Sequence, residues 1–286
     1  MTSPLKPRFD HAVINVNDQL DQACDRFTRM GFQLLARGHH SMGSSNHLAI
    51  FGENYLELLG YEPTRATGSR GLWQVTIGLA GLVWKTTDAR QAWQILKALH
   101  LEGEPPTMFS REVTLPDGEH CNARFCITRL RASAVAGGFS FFCQHLTPQA
   151  VWQPEWQQHP NGVKDITEFV LAADNPGAGM ALYARLFASE PGLDSSGAGY
   201  ALQGGRTRIR VITPQQVNRE FGIVVTAPEA RMVALVFAVE SLSVLQSCLD
   251  QGEIPFVMRD GAVLVSAEAS GYLPLVFREA THQPNS

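Results

Sequence analysis

Two side chains near the start of the chain combine reactive chemistry with apolar surroundings. His11 lies in FDHAVINVND, where Ala12, Ile14 and Val16 alternate with other residues as in a short strand. Glu57 lies in a second strand pattern, YLELL, where a carboxylate is costly to bury without a partner. A metal ion or a nearby base would supply that partner. The alternatives are a core histidine bonded to a carbonyl group and a structural carboxylate in an ion pair.

A third strand pattern, FSFFCQHL, carries two more metal-capable side chains. Strand alternation places Cys143 and His145 on one face and Gln144 on the other. Imidazole and thiolate are both ligands of divalent transition metals. His145 can instead be a surface histidine at a strand end, and Cys143 can be a packed thiol.

Other histidines are candidates for contact with a substrate. His47 alternates with Leu48 in the strand pattern of residues 47–51, and His39 and His40 lie in a loop rich in glycine and serine. We expect His47 and His39 to contact substrate, although loop histidines are often only solvated. His120 follows the turn LPDGE and is interpreted as part of that turn.

The elements that must position these residues follow one order four times. In the first unit a strand with His11 precedes an amphipathic helix over 18–30, which Gly31 ends, and strand patterns over 32–36, 47–51 and 55–59 follow. This βαβββ order begins again near residues 81, 168 and 234, so successive units, counted from residue 11, are 70, 87 and 66 residues apart. Internal repeats of this kind indicate one supersecondary unit used four times.

Such units predict an α+β fold in which four βαβββ modules pair into two cup-shaped domains. We predict an N-terminal domain over 8–147, a linker over 148–163 and a C-terminal domain over 164–280. The linker region is rich in Pro and Gln, and its Trp152 and Trp156 indicate that it packs onto a domain. The alternative is a plain loop inside one larger domain.

Composition limits the classes of function. The chain has 286 residues, 44% hydrophobic and 17% charged, with a formal net charge of −4, so nothing favours nucleic acid or an anionic membrane as partner. Five cysteines without a CxxC pair fit reduced thiols, and the start of the chain resembles no signal peptide. We expect a cytoplasmic protein, a possible homodimer, with a small-molecule substrate.

The motifs resemble the vicinal oxygen chelate superfamily, which includes glyoxalases and extradiol dioxygenases, and in particular its glyoxalase-like branch. The resemblance is carried by FDHAVINVND, by NHLAIFGENYLELLGYEP, by the string HHSMGSSNHLAIF and by VWQPEWQQHPNG in the linker. The four-unit pattern covers almost the whole chain, whereas the sharp motifs cover the first unit and the linker.

The resemblance implies a divalent metal at the bottom of a cup, held by first and last strands of the units. His11 and Glu57 match these positions in the first unit, and Glu57 would also be the catalytic residue. The second unit has Gly81 at the place of His11, so His145 is the expected third ligand, with Cys143 as a substrate contact. Two histidines and one carboxylate suit Fe, Mn, Zn or Ni and leave positions open for substrate. Glyoxalases proper use four protein ligands, so three favour a related activity.

The second half has no ligands at the equivalent positions. Alignment of the third unit with the first places Glu168 at the His11 position and Arg210 at the Glu57 position, which predicts an ion pair. The fourth unit offers Ala234 and Pro274 there, and neither can bind a metal. We therefore expect a metal-free C-terminal cup.

These expectations favour a metal-dependent glyoxalase-like lyase or isomerase that acts on a small oxygenated molecule. An extradiol-type ring-cleaving dioxygenase is an alternative, because two histidines and one carboxylate also serve Fe(II) chemistry of that kind. A non-catalytic small-molecule binder on the same fold is the third possibility.

Overall fold

The structure is a computed structural model and describes residues 5–62, 75–226 and 230–280. Within these ranges the strands are β1 Phe9–Asn17, β2 Gly38–His39, β3 Ser45–Ile50, β4 Tyr55–Gly60, β5 Gly78–Lys85, β6 Thr107–Thr114, β7 His120–Arg129, β8 Phe139–His145, β9 Val163–Ala172, β10 Gly192–Leu193, β11 Gly199–Gly204, β12 Thr207–Ile212, β13 Arg231–Val239, β14 Val257–Arg259, β15 Ala262–Val265 and β16 Leu275–Glu279. The α-helices are α1 Leu20–Arg29, α2 Ala89–Ala98, α3 Pro176–Phe187, α4 Pro214–Phe221, α5 Leu242–Gln251 and α6 Ala267–Ser270. None of these helices combines the length and the apolar character needed to span a bilayer.

The strands form two eight-stranded sheets with the same topology. The orders are β2-β3-β4-β1-β5-β8-β7-β6 and β10-β11-β12-β9-β13-β16-β15-β14. In each sheet the first strands of two units pair antiparallel at the centre, as β1 does with β5, while first and last strands within a unit run parallel, as β1 does with β4. The predicted α+β fold of four βαβββ modules in two cups is therefore confirmed.

The N-terminal sheet is nearly closed into a barrel. Its two edge strands, β2 and β6, approach each other, and an isolated bridge joins His40 to Arg111 across the seam. Closure removes most of the free edge and encloses the concave face of the sheet. Side chains on that face are consequently shielded from water.

A continuous apolar core lies between the two sheets and includes the faces of helices from both halves. Phe32 packs edge-to-face against Phe237 at a ring distance of 5.6 Å, and Trp84 packs against Phe187 at 4.7 Å. Two smaller apolar clusters lie on the concave faces, one in each half. The halves therefore share one core and keep separate interiors.

The segment between the sheets is packed against the N-terminal half. Trp156 belongs to the concave cluster of the first sheet, as expected, and Trp152 packs against it. Asn161 donates from Nδ2 to the carbonyl oxygen of Met30 at 2.9 Å, next to the end of α1. β9 already begins at Val163, the last residue of the predicted linker.

One predicted element is wrong. Residues 32–36 form no strand, and only the two-residue β2 follows them. The reason is tertiary: Phe32 is buried in the core between the sheets, and the backbone N–H of Gln33 donates to Nδ1 of His159 at 3.0 Å. Gly31 does follow the end of α1, with a left-handed φ of +82° that favours glycine.

Candidate functional site

A β-bulge at the start of β1 brings two neighbouring side chains together. The register between β1 and β5 shifts between Phe9 and His11, so Asp10 is an extra residue in the ladder. A bulge re-aims side chains that would otherwise alternate between faces. Nδ1 of His11 consequently donates to Oδ2 of Asp10 at 2.7 Å, and both side chains are buried.

Glu57 reaches the same place from the parallel neighbour β4. Its Oε2 lies 3.5 Å from Nε2 of His11, and its Oε1 accepts from Nδ2 of Asn46 at 2.6 Å. Burial alone would raise the pKa of Glu57, but the contacts with His11 and Asn46 outweigh it and lower the pKa to about 2. Burial likewise opposes the charged form of His11, yet Asp10 and Glu57 raise its pKa. Glu57 is therefore ionised throughout the neutral range.

Asp10 is the centre of a second group of contacts. Nζ of Lys85 donates to its Oδ1 at 2.6 Å, and Nε2 of His145 donates to its Oδ2 at 3.0 Å. Burial would raise the pKa of Asp10, but the charges of His145 and Lys85 and the bonds from His11 and His145 hold it well below its ordinary value. The ring of His145 stacks on Trp152, over which Lys85 also lies.

His145 is left with a free nitrogen. Because Nε2–H donates to Asp10, Nδ1 is the other polar atom of the ring. This atom is buried and has no hydrogen-bond partner among the described residues. A buried polar atom of this kind is costly unless something binds it, so Nδ1 is a position for a ligand or a proton.

Two sets of donors in this interior could hold a metal ion. Asp10, Cys143 and His145 offer donor atoms that lie within 4.8 Å of one another. Burial and the charge of Asp10 raise the pKa of the Cys143 thiol well above its ordinary value, so this set requires a cation to ionise the sulfur.

His11 and Glu57 form the other set. Two ligand atoms at about 2.1 Å from one ion lie roughly 3.4 Å apart in tetrahedral geometry, and the observed separation of Nε2 and Oε2 is 3.5 Å. The bond from His11 to Asp10 fixes the tautomer that turns the Nε2 lone pair towards Glu57, as carboxylates do beside metal-bound histidines. The residues present therefore fit a divalent cation.

The structure brings some of the sequence-predicted residues together and separates others. His11 and Glu57 meet, whereas His145 is bonded to Asp10 and, with Cys143, completes the second donor set. His47 lies on the other face of β3 from the cup residue Leu48, and its Nδ1 donates to the carbonyl oxygen of Leu35 at 2.9 Å.

A cleft of about 590 Å³ opens beside the seam of the barrel. His39 and His40 line it, together with Arg111 of β6 and Trp156. Nε2 of His40 accepts from Nδ2 of Asn46 at 3.1 Å and lies 3.9 Å from Oε1 of Glu57. The side chain of His40 therefore lies between the cleft and the carboxylate of Glu57. Burial lowers the pKa of His40 to about 4, so its ring is neutral.

Sequence reasoning missed several polar residues of this interior. Asp10 adjoins His11 and was hidden by the assumption of strict alternation. Lys85 and Asn46 carry no local signal, because their partners lie 75 and 11 residues away. Arg111 falls on the inward face of β6, and a charged residue at an inward position of an amphipathic strand is the signal that could have found it.

The C-terminal cup contains an ion cluster at the equivalent place. Arg210 Nη1 donates to Glu168 Oε2 at 2.8 Å, which confirms the predicted pair. The register is also equivalent: Val13 lies opposite Glu57 in the first sheet, and Val170 lies opposite Arg210 in the second. In the fourth unit Pro274 precedes β16, and Ala234 remains buried on the concave face.

Comparisons with known proteins identify the family. A sequence profile of the glyoxalase-like domain family matches residues 9–187, which is more than half of the chain. The chain therefore belongs to this family, and its membership of the vicinal oxygen chelate superfamily is confirmed. Among curated proteins, none matches the sequence.

Solved structures share the fold at low sequence identity. A hypothetical protein from Staphylococcus aureus is 13% identical with a TM-score of 0.67, and the alignment covers 96% of this chain and 99% of that one. A 4-hydroxymandelate synthase variant from Streptomyces coelicolor is 10% identical with a TM-score of 0.62, covering 96% and 92%. A fusion protein of a xylose isomerase-like TIM barrel and 4-hydroxyphenylpyruvate dioxygenase is 11% identical with a TM-score of 0.61, covering 99% of this chain and 50% of that one. These likenesses show the fold of the chain.

Proposed function

We propose that the N-terminal cup is the active site of a metal-dependent, glyoxalase-like lyase or isomerase that acts on a small oxygenated molecule. The observation that carries the proposal is the 3.5 Å approach of His11 Nε2 and Glu57 Oε2, with Asp10 behind the histidine. A divalent cation bound there would polarise two neighbouring oxygens of the substrate and favour loss of an adjacent proton.

Glu57 and His145 suit different roles in the reaction. Glu57, with a pKa of about 2, is a weak proton acceptor at neutral pH, and its permanent charge suits a ligand better than a general base. His145 is the better proton acceptor, because Asp10 orients its ring and Nδ1 is free. The expectation from the sequence that His145 is the third ligand beside His11 and Glu57 stays a prediction, because its donor atom is grouped with those of Asp10 and Cys143.

The surroundings of the site favour chemistry that must exclude water. Tyr55 stacks on the ring of His11 at 4.2 Å, and Trp152 covers His145 and Lys85. A water-poor interior strengthens every charge interaction within it. A small molecule enclosed here would meet fixed charges and little competing solvent.

Metal binding is the first test. Metal-free protein is titrated with Mn(II), Fe(II), Zn(II) and Ni(II) by calorimetry, and we expect one cation per chain. Loss of a supporting partner costs about 10- to 100-fold in affinity, so His11→Ala and Glu57→Gln should lose more than that. His47→Ala is the matched control, because this histidine lies on the other face of β3.

Cobalt distinguishes the two donor sets. A thiolate on Co(II) produces an intense near-ultraviolet charge-transfer band, which nitrogen and oxygen donors lack. We expect no such band and unchanged affinity in Cys143→Ser. If Cys143→Ser removes the cation and Glu57→Gln retains it, the ion belongs to Asp10, Cys143 and His145.

Turnover separates the possible activities. Solvent deuterium exchange next to a substrate carbonyl would support the lyase or isomerase, and oxygen uptake with catechols would support the extradiol dioxygenase. The dioxygenase stays a second candidate because His11, His145 and Glu57, the expected ligands, would supply two histidines and one carboxylate, the set that such Fe(II) chemistry uses. If no cation binds, the metal-dependent function fails and the non-catalytic binder takes its place.

A further inference from the structure

Arg111 is a buried cation without a counterion. Its side chain lies in β6, and the residue is only 3% exposed. No hydrogen bond or ion pair joins its guanidinium to a residue within the described ranges, and Nη2 is fully buried. A buried charge without a partner is strongly unfavourable, so a folded chain retains one only where something else supplies the partner.

The position of Arg111 connects the cleft with the interior. Alternation along β6 turns Arg111 and Val113 inward and Glu112 outward, and the bridge to His40 holds Arg111 at the seam. Arg111 also contributes to the wall of the 590 Å³ cleft. A molecule that enters the cleft therefore meets the guanidinium before it reaches Glu57.

Unsatisfied polarity lies next to the guanidinium, and the adjoining cleft supplies the space for a ligand. A Cβ atom on Gly38 would lie 3.0 Å from Nη1 of Arg111 and 2.7 Å from Oδ1 of Asn46, so glycine is needed for these two side chains to occupy their positions. Oδ1 of Asn46 is also buried without a partner. A ligand with an acceptor for Arg111 and a donor for Asn46 would satisfy both.

The charges nearby favour one negative charge over two. Glu57 is close enough to stabilise the charged form of Arg111, but its own oxygens are occupied by His11 and Asn46. The negative charge of Glu57 already offsets part of the positive charge of Arg111, and the adjacent His40 is neutral. A carboxylate matches the planar guanidinium and carries one charge, whereas a phosphate monoester carries close to two.

We propose that Arg111 binds the carboxylate of a small monocarboxylate substrate and so directs its other end towards His11 and Glu57. The evidence for the carboxylate subsite is that Arg111 is buried and that its guanidinium has no hydrogen-bond or ion-pair partner among the described residues. Only the placement of the reacting end rests on the proposed function. The substrate class is therefore a small organic acid with further oxygens near its carboxylate.

The test measures binding to metal-free protein by calorimetry. The probes are acetate, pyruvate, phenylacetate and benzoate, each compared with its neutral amide, and phenylphosphonate as a dianion. We expect at least one carboxylate to bind about 10-fold more tightly than its amide, because a site built for a charged group rejects the analogue that lacks it. Arg111→Gln should abolish this preference, and Arg111→Lys should retain part of it.

Arg37 provides the matched control. It lines the same cleft, but its guanidinium is already paired with Asp21 and Glu62. Arg37→Gln should leave carboxylate affinity within about 2-fold of the parent. Thermal unfolding of Arg111→Gln and Arg111→Lys shows whether each variant is folded before its affinity is read.

The outcomes separate this proposal from that of the metal site. Carboxylate binding that survives His11→Ala supports the subsite even if no cation ever binds. The proposal is overturned if every carboxylate binds no better than its amide, or if folded Arg111→Gln keeps the preference, in which case Arg111 only balances the charge of Glu57. Tighter binding of phenylphosphonate than of all four carboxylates would overturn the monocarboxylate class.

Discussion

Replacement of Arg210 by leucine should destabilise the protein strongly, because this residue neutralises three carboxylates. All five N–H groups of its guanidinium donate: two to Asp194, two to Glu220 and one to Glu168, at 2.7–3.0 Å. Arg210 itself is 3% exposed. Leucine would fill part of its volume and leave the three acidic groups facing one another.

The magnitude follows from the neighbours that remain. Removing one partner from a buried ion pair costs about 3–5 kcal/mol. Arg208 lies 3.5 Å from Asp194, and Arg278 lies 3.9 Å from Glu168, so two guanidinium groups would still offset part of the repulsion. We therefore expect a loss of about 3 kcal/mol in the free energy of unfolding, which for a chain of this size lowers Tm by about 6 °C.

The loss should depend on pH. Burial opposes the charged forms of Asp194 and Glu220, but Arg210 outweighs it and lowers the pKa of both in the folded state. Groups with lowered pKa stabilise the fold above their unfolded values and lose that contribution as pH falls through the folded values. The parent protein should therefore lose stability below about pH 4, and the deficit of the variant should shrink there.

Urea unfolding followed by circular dichroism at pH 7 and pH 3.5 measures both effects. Arg206→Leu is the control, because this arginine is 65% exposed and its pairs with Glu53 and Asp165 are long. The pair with the exposed Glu53 contributes about 1 kcal/mol or less, and the contact with the buried Asp165, at 3.8 Å, is too long for a hydrogen bond. If Arg210→Leu melts within 2 °C of the parent at pH 7, or if its deficit is the same at both pH values, the ion cluster does not stabilise the C-terminal cup as reasoned.

Three further predictions concern the segment between the sheets and the contact of the first half with the second. Gly31→Ala should cost about 1–3 kcal/mol more than Gly118→Ala in urea unfolding, because both have positive φ but only the Cβ at Gly31 would meet Asn161, at 2.8 Å; equal costs would refute the clash. Asn54→Ala should cost about 2–3 kcal/mol, since its amide bonds the backbone of Ile166 and the hydroxyl of Thr207 in the other half; Glu53→Gln is the control, and a similar loss there would contradict the assignment. His159 should remain neutral with its proton on Nε2, because burial lowers its pKa and Nδ1 accepts from the N–H of Gln33. Nitrogen NMR of the ring checks the tautomer. The free energy of unfolding should fall as pH drops below about 6.5, and His159→Gln should weaken this pH dependence.

His11 and Glu57 could be singled out before the fold was known because of a local pattern, whereas their assignment as metal ligands rests on the resemblance to the family and stays a prediction. His11 and Glu57 are polar groups in apolar strands, and Glu168 and Arg210 occupy the equivalent strand positions of the third unit. Parallel pairing of the first and last strands then brings each pair together. The segment over 32–36 forms no strand because Phe32 packs in the core between the sheets and the N–H of Gln33 bonds the side chain of His159 instead of a neighbouring strand.

Local periodicity was sufficient to predict the four βαβββ units and to place His11 and Glu57 in apolar strands, since burial of one face imposes its period on the sequence. The partners of those residues were decided by long-range pairing. The bulge at Asp10 depends on β5, the bond from His145 to Asp10 spans 135 residues, and the isolation of Arg111 arises only where β6 meets β2 across the closing barrel. No local pattern predicts these long-range contacts, because strand register and sheet closure depend on the free energy of the whole chain.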